Sequence, residues 1–404
     1  MIVPIANGEP VELLDGLEQR ADSLHGVRIH QMHALRDRPY LHGAYHGHLD
    51  HVSWFLSPVT RPCYEEGRVE FTPANFSEVP MLMQAQQPKA LLVAASPPDA
   101  NGYFSLGPTG SYSTAMLGKV PTYVEVNHAM PRTFGANRVH VSEVEGWHET
   151  EYPLLEIPAA APSETDRRIA ELVAERIPNR ATIQLGIGGV PTAVASLLNT
   201  HQDLAIHTEL FADPMVELIK SGAVTGLYKQ RYRGRSVATF ALGSQSLYDF
   251  IDQNDGVVFL AVDEVNDPRI IGAEPNFISV NGAIEVDLFG QCASETIGFK
   301  YWSGSGGQAD FARGAQYSDG GDGFIVLPST ADRGKVSRIV HHLQPGAVVT
   351  TMKNTVDNVV TEFGIAELRG KTLRQRAQAL IEVAHPDHRE SLTRQAFSTG
   401  LLRR

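Results

Sequence analysis

The stretch Leu185-Gly-Ile-Gly-Gly-Val-Pro191, together with Ile206-His-Thr-Glu-Leu210, indicates the fold of this chain. A short apolar segment runs into closely spaced glycines, which permit a tight turn and present bare N–H groups to a ligand. Pro191 suits the first turn of a helix, because its missing N–H costs nothing there. The next apolar segment leads to Glu209. The pattern therefore predicts a strand, a glycine loop, a helix and a second strand.

The predicted loop and Glu209 both follow strands, and ligands in open α/β sheets bind outside the carboxyl ends of strands. We therefore expect the glycine amides and Glu209 to share one crevice. Two alternatives remain at this point. In a dinucleotide fingerprint a third glycine would stand at Pro191, although Glu209 lies at about the distance expected of a Rossmann acid, about 20 residues on. The loop is equally compatible with a plain βα turn that binds nothing.

Length and composition restrict the class of protein. The 404 residues favour two domains, and the net charge of −12 disfavours nucleic acid as the main partner. No apolar run approaches the ~20 residues of a membrane span, and the N-terminus lacks a signal-peptide pattern. The two cysteines, Cys63 and Cys292, are far apart, which indicates a reducing compartment. We expect a cytoplasmic protein that binds neither nucleic acid nor membrane.

The order of elements predicts α/β domains with mostly parallel sheets. We expect strands at residues 2–6, 27–29, 90–95, 122–126 and 138–141, with a first helix that ends near Ala21. The proline-flanked alanine run that follows Ile157 is the predicted interdomain linker. Ser163 is expected to cap the next helix, with Asp166 three residues later. The predicted domains are residues 1–157 and 163–404. Strands of the second are expected at residues 181–185, 204–206, 257–262, 324–327 and 347–351.

Three further clusters are candidates for a site. The second glycine loop, Ser303–Gln308, could present N–H groups to an oxyanion or a phosphate, although a flexible turn is the simpler interpretation. The loop after the strand at 324–327 carries Arg333, Lys335 and Arg338, which suit a phosphate-bearing ligand. The histidines His42, His46, His48 and His51 have irregular spacing and no accompanying cysteines, so we expect no metal site. No histidine adjoins either cysteine in sequence, which disfavours a thiol nucleophile.

Recognisable segments follow one another over nearly the whole chain, at residues 55–58, 75–80, 96–102, 184–188, 206–209, 247–250, 265–268, 286–288, 303–311, 328–330, 360–364 and 384–386. Taken together, they resemble the acetyl-CoA hydrolase/transferase family, whose members include CoA-transferases for 4-hydroxybutyrate and for butyrate and acetate. Family members usually carry a further segment before the first strand. We therefore expect the start of this chain to be truncated or misassigned.

The resemblance implies a specific site between two related open α/β domains of the CoA-transferase type. The family's catalytic glutamate falls on Glu209. The family's CoA-binding loop falls on Gly186, Ile187, Gly188, Gly189 and Val190. Its other CoA contacts fall on Ile284, Gly307 and Lys335, with Gly334 as an alternative to Lys335. The resemblance implies no metal and no bound cofactor, since CoA is a substrate.

The implied chemistry is acyl transfer through the carboxylate of Glu209. Attack on a thioester gives an acyl-glutamyl anhydride, and CoA then forms a thioester with the glutamate. A small carboxylate such as acetate completes the transfer in reverse. Each step passes through an oxyanion that glycine amides can stabilise.

Three functions are compatible with these residues. The first is a CoA-transferase for short-chain acyl groups, and the second is an acetyl-CoA hydrolase in which water resolves the same intermediate. The third is a non-catalytic sensor of an acyl-CoA or a sugar phosphate, which would have no need of Glu209. The dehydrogenase alternative is remote, because the rest of the chain matches no such plan. His207 would face the same side as Glu209 if the strand extends that far, and could then activate water. The alternative, which we favour, is a buried or loop-packed histidine with a structural role. The family implies a homodimer or a larger homo-oligomer.

Overall fold

A computed structural model describes residues 1–159 and 161–403. Ala160, in the predicted linker, and Arg404, the last residue of the second predicted domain, lie outside the described residues. Two α/β parts with mostly parallel sheets build the molecule, which confirms the predicted fold class. The predicted boundaries of the two domains, at residues 157 and 163, stay a prediction.

The N-terminal part contains short helices and strands. The helices are α1 Val11–Gln19, α2 Thr60–Glu65, α3 Val79–Ala85 and α4 Ser111–Met116. The strands are β1 Val27–Gln31, β2 Leu49–Ser53, β3 Val69–Phe71, β4 Leu91–Ala95, β5 Tyr103–Ser105, β6 Thr122–Asn127, β7 Phe134–Gly135, β8 Arg138–His140 and β9 Gly146–Thr150. Four of the predicted strands therefore appear here, within one or two residues of their predicted ends.

The first predicted strand, at residues 2–6, is wrong except at one residue. Ile2 alone forms parallel bridges, to His30 and Leu91, and so connects the sheet of β1, β2 and β3 with that of β4, β6 and β9. Pro4 has no N–H to give to a ladder, and Ala6 turns into a short 3-10 helix with φ of 53°. The first helix also ends earlier than predicted, at Gln19.

The C-terminal part is larger. Its helices are α5 Glu164–Ala174, α6 Gly189–Leu197, α7 Asp213–Lys220, α8 Gln245–Ile251, α9 Val262–Val265, α10 Pro268–Ile271, α11 Gln308–Tyr317, α12 Leu373–Val383 and α13 Pro386–Ser398. Its main strands are β10 Thr182–Leu185, β11 Ala205–Phe211, β12 Ser236–Ala241, β13 Val257–Phe259, β14 Phe277–Gly282, β15 Glu285–Asp287, β16 Cys292–Ala293, β17 Thr296–Ile297, β18 Lys300–Tyr301, β19 Asp322–Val326, β20 Thr330–Ala331, β21 Val336–Ser337, β22 Ile339–Val340, β23 Asn358–Thr361 and β24 Gly364–Glu367.

In the described part of the chain, one nine-stranded sheet has the order β24-β23-β19-β14-β10-β11-β12-β13-β7. Every pairing is parallel except that of the edge strand β24. Five of these strands were not predicted, namely the edge strands β7 and β24 and three strands inside the sheet. These three are β12, β14 and β23. Their residues are almost all buried, so they lack the alternating pattern that separates a strand from a buried helix segment.

Two other predictions of the second part need comment. The strand expected at residues 347–351 is wrong, because only Thr351 pairs, in a single bridge to Cys292, after a turn at Gly346 with φ of 88°. The predicted start of α5 is confirmed. The Ser163 hydroxyl accepts the N–H of Asp166, and the Asp166 carboxylate accepts the N–H of Ser163. This reciprocal cap satisfies donors that the helix itself cannot.

Candidate active site

Glu209 lies within β11, which continues past the predicted end of that strand to Phe211. The side chain is half-buried and faces a cavity between the two parts of the molecule. Its Oε2 accepts a hydrogen bond of 2.8 Å from Asn266 Nδ2, and the N–H of Gly307 also donates to the carboxylate. Asn266 is fully buried directly after α9. Two donors from separate elements therefore hold the carboxylate in one orientation.

The pKa of Glu209 is raised to about 7, mainly because burial disfavours the charged carboxylate. The Asn266 hydrogen bond lowers that pKa, the negative charge of Asp310 raises it, and the Gly307 N–H lowers it. A carboxylate with a pKa near neutrality is poorly solvated and therefore more reactive toward carbon than one in open water. The position thus combines a fixed orientation with weak solvation.

Asp310, in the first turn of α11, lies behind Glu209 and is almost completely buried. Its carboxylate accepts the N–H of Ser77 at 3.0 Å and the Ser77 hydroxyl at 2.8 Å, and it also hydrogen-bonds the Asn266 side chain. Burial raises the pKa of Asp310 to about 7. Ser77 belongs to the N-terminal part, so this contact joins the two parts directly behind Glu209.

The second glycine loop approaches Glu209 closely. A Cβ at Gly307 would lie 2.1 Å from both Glu209 Oε2 and Asn266 Nδ2, and one at Gly306 would lie 3.7 Å from Glu209 Oε1. The loop is fixed to the N-terminal part, because the Phe76 N–H donates to Gly306 O at 3.0 Å. The Ser305 hydroxyl likewise donates to Ala74 O at 2.7 Å. Glycine is required at Gly307 because no side chain fits there beside the carboxylate.

The cavity that contains Glu209 has a volume of about 460 Å³ and lies between the two parts, as predicted. Phe55, Leu56 and Arg61 of the N-terminal part form one wall. The Arg61 guanidinium lies 3.7 Å from the centre of the Trp302 ring, and its Nε donates to Trp302 O at 2.8 Å. Arg61 is the one lysine or arginine among the described residues that line this cavity.

The five residues of the predicted CoA loop separate into two groups. Gly186 and Ile187 line the Glu209 cavity, whereas Gly189 and Val190 form the first turn of α6. The Gly186 N–H donates to Val280 O at 2.8 Å. Within the described part of the chain, the N–H groups of Ile187 and Gly188 have no acceptor, so they are available to a ligand. A Cβ at Gly189 would lie 2.4 Å from Asp166 Oδ2, so that glycine allows α5 and α6 to pack.

Only some of the remaining predicted CoA contacts line the cavity that contains Glu209. Ile284 lines the same cavity. Lys335 is exposed on the hairpin of β20 and β21, 4.0 Å from Asp332, and lines no part of the cavity. The alternative residue, Gly334, gives its carbonyl oxygen to His388. The structure therefore brings Ile284 and Gly307 together with Glu209 and leaves Lys335 outside.

Two histidines bear on the activation of water. His207 is buried within β11, its Nε2 lies 2.7 Å from Val265 O, and burial lowers its pKa to about 3. It does not line the Glu209 cavity in the part of the chain described. His33 does line that cavity, and burial lowers its pKa to about 4. A histidine with so low a pKa is neutral at pH 7 but is a weak base.

The other predicted clusters remain apart from the site. His42 pairs with Asp37, His46 pairs with Asp50, and His51 is buried against Tyr40. Among residues 1–159 and 161–403, no group of three or more His, Cys, Asp or Glu side chains could hold a metal ion. Cys63 and Cys292 are both buried free thiols. In the same residues, no helix is long and apolar enough to cross a membrane.

Sequence reasoning did not single out Asn266, Asp310, Ser77 or Arg61 as functional residues. Asn266 and Ser77 lie within stretches that carried the family resemblance, but nothing local distinguishes them. Their roles depend on contacts between positions far apart in the chain, such as Ser77 with Asp310. The only available signal was the proximity of Asp310 to the second glycine loop.

Comparison with known sequences assigns this chain to a family of enzymes. The profile of the acetyl-CoA hydrolase/transferase N-terminal domain matches residues 6–154, and that of the C-terminal domain matches residues 243–396. The chain belongs to the acetyl-CoA hydrolase/transferase family, which confirms the resemblance drawn from its motifs. The family consists of enzymes, so the sensor alternative loses its main support.

Individual relatives are similar over nearly their whole length. The 4-hydroxybutyrate coenzyme A transferase of Clostridium kluyveri is 42% identical over 96% of this chain and 91% of the relative. The succinyl-CoA:cyclohexane-1-carboxylate CoA transferase of Geobacter metallireducens is 44% identical, over 97% and 90%. The crystal structure of RipA from Yersinia pestis superposes with a TM-score of 0.95 at 35% identity, over 99% and 94%.

Proposed function

We propose that this protein is a CoA-transferase that moves CoA from a short-chain acyl-CoA to a small carboxylate such as acetate. Glu209 is the nucleophile, and a glutamyl-CoA thioester is the intermediate. The observation that carries the proposal is the fixed, poorly solvated Glu209 carboxylate between two glycine loops. Relatives that are CoA-transferases for different acyl groups support it.

The reaction begins when a Glu209 oxygen attacks the thioester carbonyl carbon. The C–S bond breaks, CoA thiolate leaves, and a mixed anhydride forms on Glu209. The thiolate then attacks the glutamyl carbonyl and expels the acyl group as a carboxylate. The acceptor carboxylate attacks the resulting thioester in the same way, and CoA thiolate finally attacks the acceptor carbonyl of the new anhydride. Glu209 is regenerated and the new acyl-CoA leaves.

The site offers donors for the oxyanions of these steps. The N–H groups of Ile187 and Gly188 have no acceptor within the described part of the chain and stand beside the Glu209 cavity. Preorganised amides of this kind are each worth about 3 kcal/mol of transition-state stabilisation. The Gly307 N–H orients the Glu209 carboxylate. It would stay hydrogen-bonded to the attacking oxygen while that oxygen loses its negative charge.

Transfer is favoured over hydrolysis because an acceptor carboxylate is ionised at pH 7 and needs no base. Water does need one, and the only cavity-lining histidine among the described residues is the weakly basic His33. The hydrolase remains the second candidate, because one relative, from Kluyveromyces lactis, is named acetyl-CoA hydrolase, at 30% identity over 54% of this chain.

The test is the consumption of acyl-CoA with and without an added acceptor. We expect turnover that depends on acetate or another short-chain acid, with ping-pong kinetics. The release of free CoA, followed in parallel, should account for only a small fraction of the acyl-CoA consumed. Equal consumption with and without acceptor, accompanied by stoichiometric free CoA, would replace the transferase with the hydrolase.

We further propose that Gly186–Val190, Ile284, Gly307 and Lys335 contact CoA, that no bound cofactor is needed, and that the protein acts in the cytoplasm as a homodimer or larger oligomer. Lys335 lies outside the cavity, so its contact would be with the outer, phosphorylated end of CoA. Charge reversal at Lys335 should weaken CoA binding more at low salt than at high salt, as measured by calorimetric titration.

A further inference from the structure

A second cavity, of about 480 Å³, adjoins the one that contains Glu209. We propose that it receives the acyl chain of the substrate and gives the enzyme a preference for apolar acyl groups longer than acetyl. The inference rests on the proposed function, since it takes Glu209 as the point where the acyl carbonyl lies.

The two cavities meet at shared walls. Leu185, Gly186 and Ile187 line both of them, and so does Leu210, the residue after Glu209. The N–H groups proposed to stabilise the oxyanion belong to Ile187 and Gly188, at the boundary between the cavities. A thioester whose carbonyl oxygen meets these amides has CoA on one side of the boundary. Its acyl chain then points to the other side.

The chemistry of the second cavity suits hydrocarbon. Its walls include Leu35 and Val59 from the N-terminal part and Met215 and Leu242 from the C-terminal part. Asp213 is the single acid among the described lining residues, and the N–H of Ser244 donates to its carboxylate at 3.1 and 3.2 Å. An alkyl chain placed here leaves water for an apolar surface, which is favourable in proportion to the area buried.

The same walls do not suit the nucleotide end of CoA. Within the described residues, no lysine or arginine lines the second cavity, and His33 is neutral because burial lowers its pKa to about 4. A diphosphate there would meet the Asp213 carboxylate without a compensating cation. The Glu209 cavity, by contrast, contains Arg61 and the polar side chains of Gln184, Asn281 and Ser294. CoA therefore belongs in that cavity and the acyl chain in the second.

The cavity is also larger than an acetyl group requires, because the single methyl of acetyl lies next to the carbonyl carbon and fills little of the space. Transfer of a methylene from water into an apolar site is favourable, and the free energy gained corresponds to about a fourfold increase in kcat/KM for each methylene. We therefore expect kcat/KM to rise about fourfold per methylene from acetyl-CoA toward octanoyl-CoA, until the chain fills the cavity.

The experiment compares acetyl-, butyryl-, hexanoyl- and octanoyl-CoA as donors, with one fixed acceptor, in the full-length protein. Leu35 is half-buried on the cavity wall, so Leu35→Trp should occupy part of the space and lower the octanoyl-to-acetyl ratio of kcat/KM at least tenfold. Val59→Trp repeats the test from the residue directly before α2. The matched control is Leu373→Trp, at a half-exposed position at the start of α12, which should leave the ratio unchanged.

Two contrary outcomes can be told apart. If the unsubstituted enzyme is active but kcat/KM is flat or falls with chain length, the acyl cavity is wrong and the proposed function stands. The same conclusion follows if the Leu35 and Val59 variants slow every donor alike. If no acyl-CoA is turned over with any carboxylate, the proposed function itself is wrong and this inference is overturned with it.

Discussion

The two glycine loops of the active site, residues 186–190 and 303–307, use their glycines for different purposes. In the second loop a Cβ at Gly307 would strike the Glu209 carboxylate at 2.1 Å. In the first loop the tightest approach is that of Gly189 to Asp166, a residue that caps the neighbouring helix α5. The second loop needs glycine because the carboxylate of the proposed nucleophile lies against it. The first loop needs glycine at Gly189 for the packing of α5 and α6, and three of its other residues line the two cavities.

This difference shows that a glycine run in a sequence does not identify its own partner. Both loops are rich in glycine, and both were predicted to present amides to a ligand. Only the fold decides which amides are free, because the Gly186 N–H is taken by Val280 while those of Ile187 and Gly188 have no acceptor in the described part of the chain. Substitutions in the two loops should therefore have different effects on activity.

The largest effect is expected at Glu209, the residue that the second loop holds. Glu209→Ala removes the nucleophile and should reduce kcat by at least about 10³-fold. Glu209→Asp draws the carboxylate back, and a misplacement of ~1 Å can cost about 10²-fold. Steady-state rates with saturating acyl-CoA measure both, and unchanged CoA affinity by calorimetry shows that the site is intact. Turnover near that of the unsubstituted enzyme in Glu209→Ala would refute the mechanism.

The next largest effect is expected at Gly307, which tests the contact that defines the second loop. Gly307→Ala should displace the carboxylate and lower kcat about 10²-fold. The matched control is Gly314→Ala in α11, the helix that begins directly after Gly307. Its Cβ would lie 2.3 Å from the Ile271 side chain. That variant should lose about 1–3 kcal/mol of unfolding free energy through overpacking and keep its kcat per folded protein. Equal losses of kcat in both variants would show that the effect is general destabilisation.

A smaller effect, with a distinct pH signature, is expected at Asn266. In the unsubstituted enzyme kcat/KM should rise tenfold per pH unit below about 7 and level off above it, because only ionised Glu209 attacks. The Asn266 hydrogen bond lowers the pKa of Glu209, so Asn266→Ala should raise that pKa and move the midpoint of the profile to higher pH. A pH profile that keeps its midpoint, with a uniformly lower rate, would assign Asn266 a purely structural role.

The smallest effect of the series is expected in the first loop. Gly188 has φ of 125° and ψ of −178°, a backbone conformation that is essentially restricted to glycine. Gly188→Ala should cost about 1–3 kcal/mol of unfolding free energy and shift the neighbouring amides. The KM for acyl-CoA should rise severalfold while the midpoint of the pH profile stays at that of Glu209. A shift of that midpoint would mean that the first loop also holds the carboxylate.

Local patterns in the sequence predicted a large share of this fold and part of the site. The capping pair Ser163 and Asp166, the loop at Gly186 and the strand that carries Glu209 all depend on neighbours in the chain. The contacts of Asn266 and Asp310 with Glu209 do not, because they join β11, the end of α9 and α11 across the fold. The strands β12 and β14 were missed because both of their faces are buried.

The raised pKa of Glu209 likewise could not be predicted from the sequence. It arises from desolvation in a cavity that forms only when the N-terminal part covers β11, with Ser77 fixed to Asp310. The exclusion of Lys335 from that cavity has the same origin, since the hairpin of β20 and β21 is placed by the fold and not by its own charge. Sequence patterns singled out Glu209 as the proposed nucleophile, and tertiary contacts determine the environment of its carboxylate.

The central claim is that CoA becomes attached to Glu209, and intact-protein mass spectrometry tests it most directly. After incubation with acyl-CoA in the absence of acceptor, the protein should gain the mass of one CoA, and peptide analysis should locate the adduct on Glu209. Addition of acetate should release it, and Glu209→Gln should never form it. If acyl-CoA is consumed while no adduct accumulates, or if the adduct persists in Glu209→Gln, the claim is contradicted.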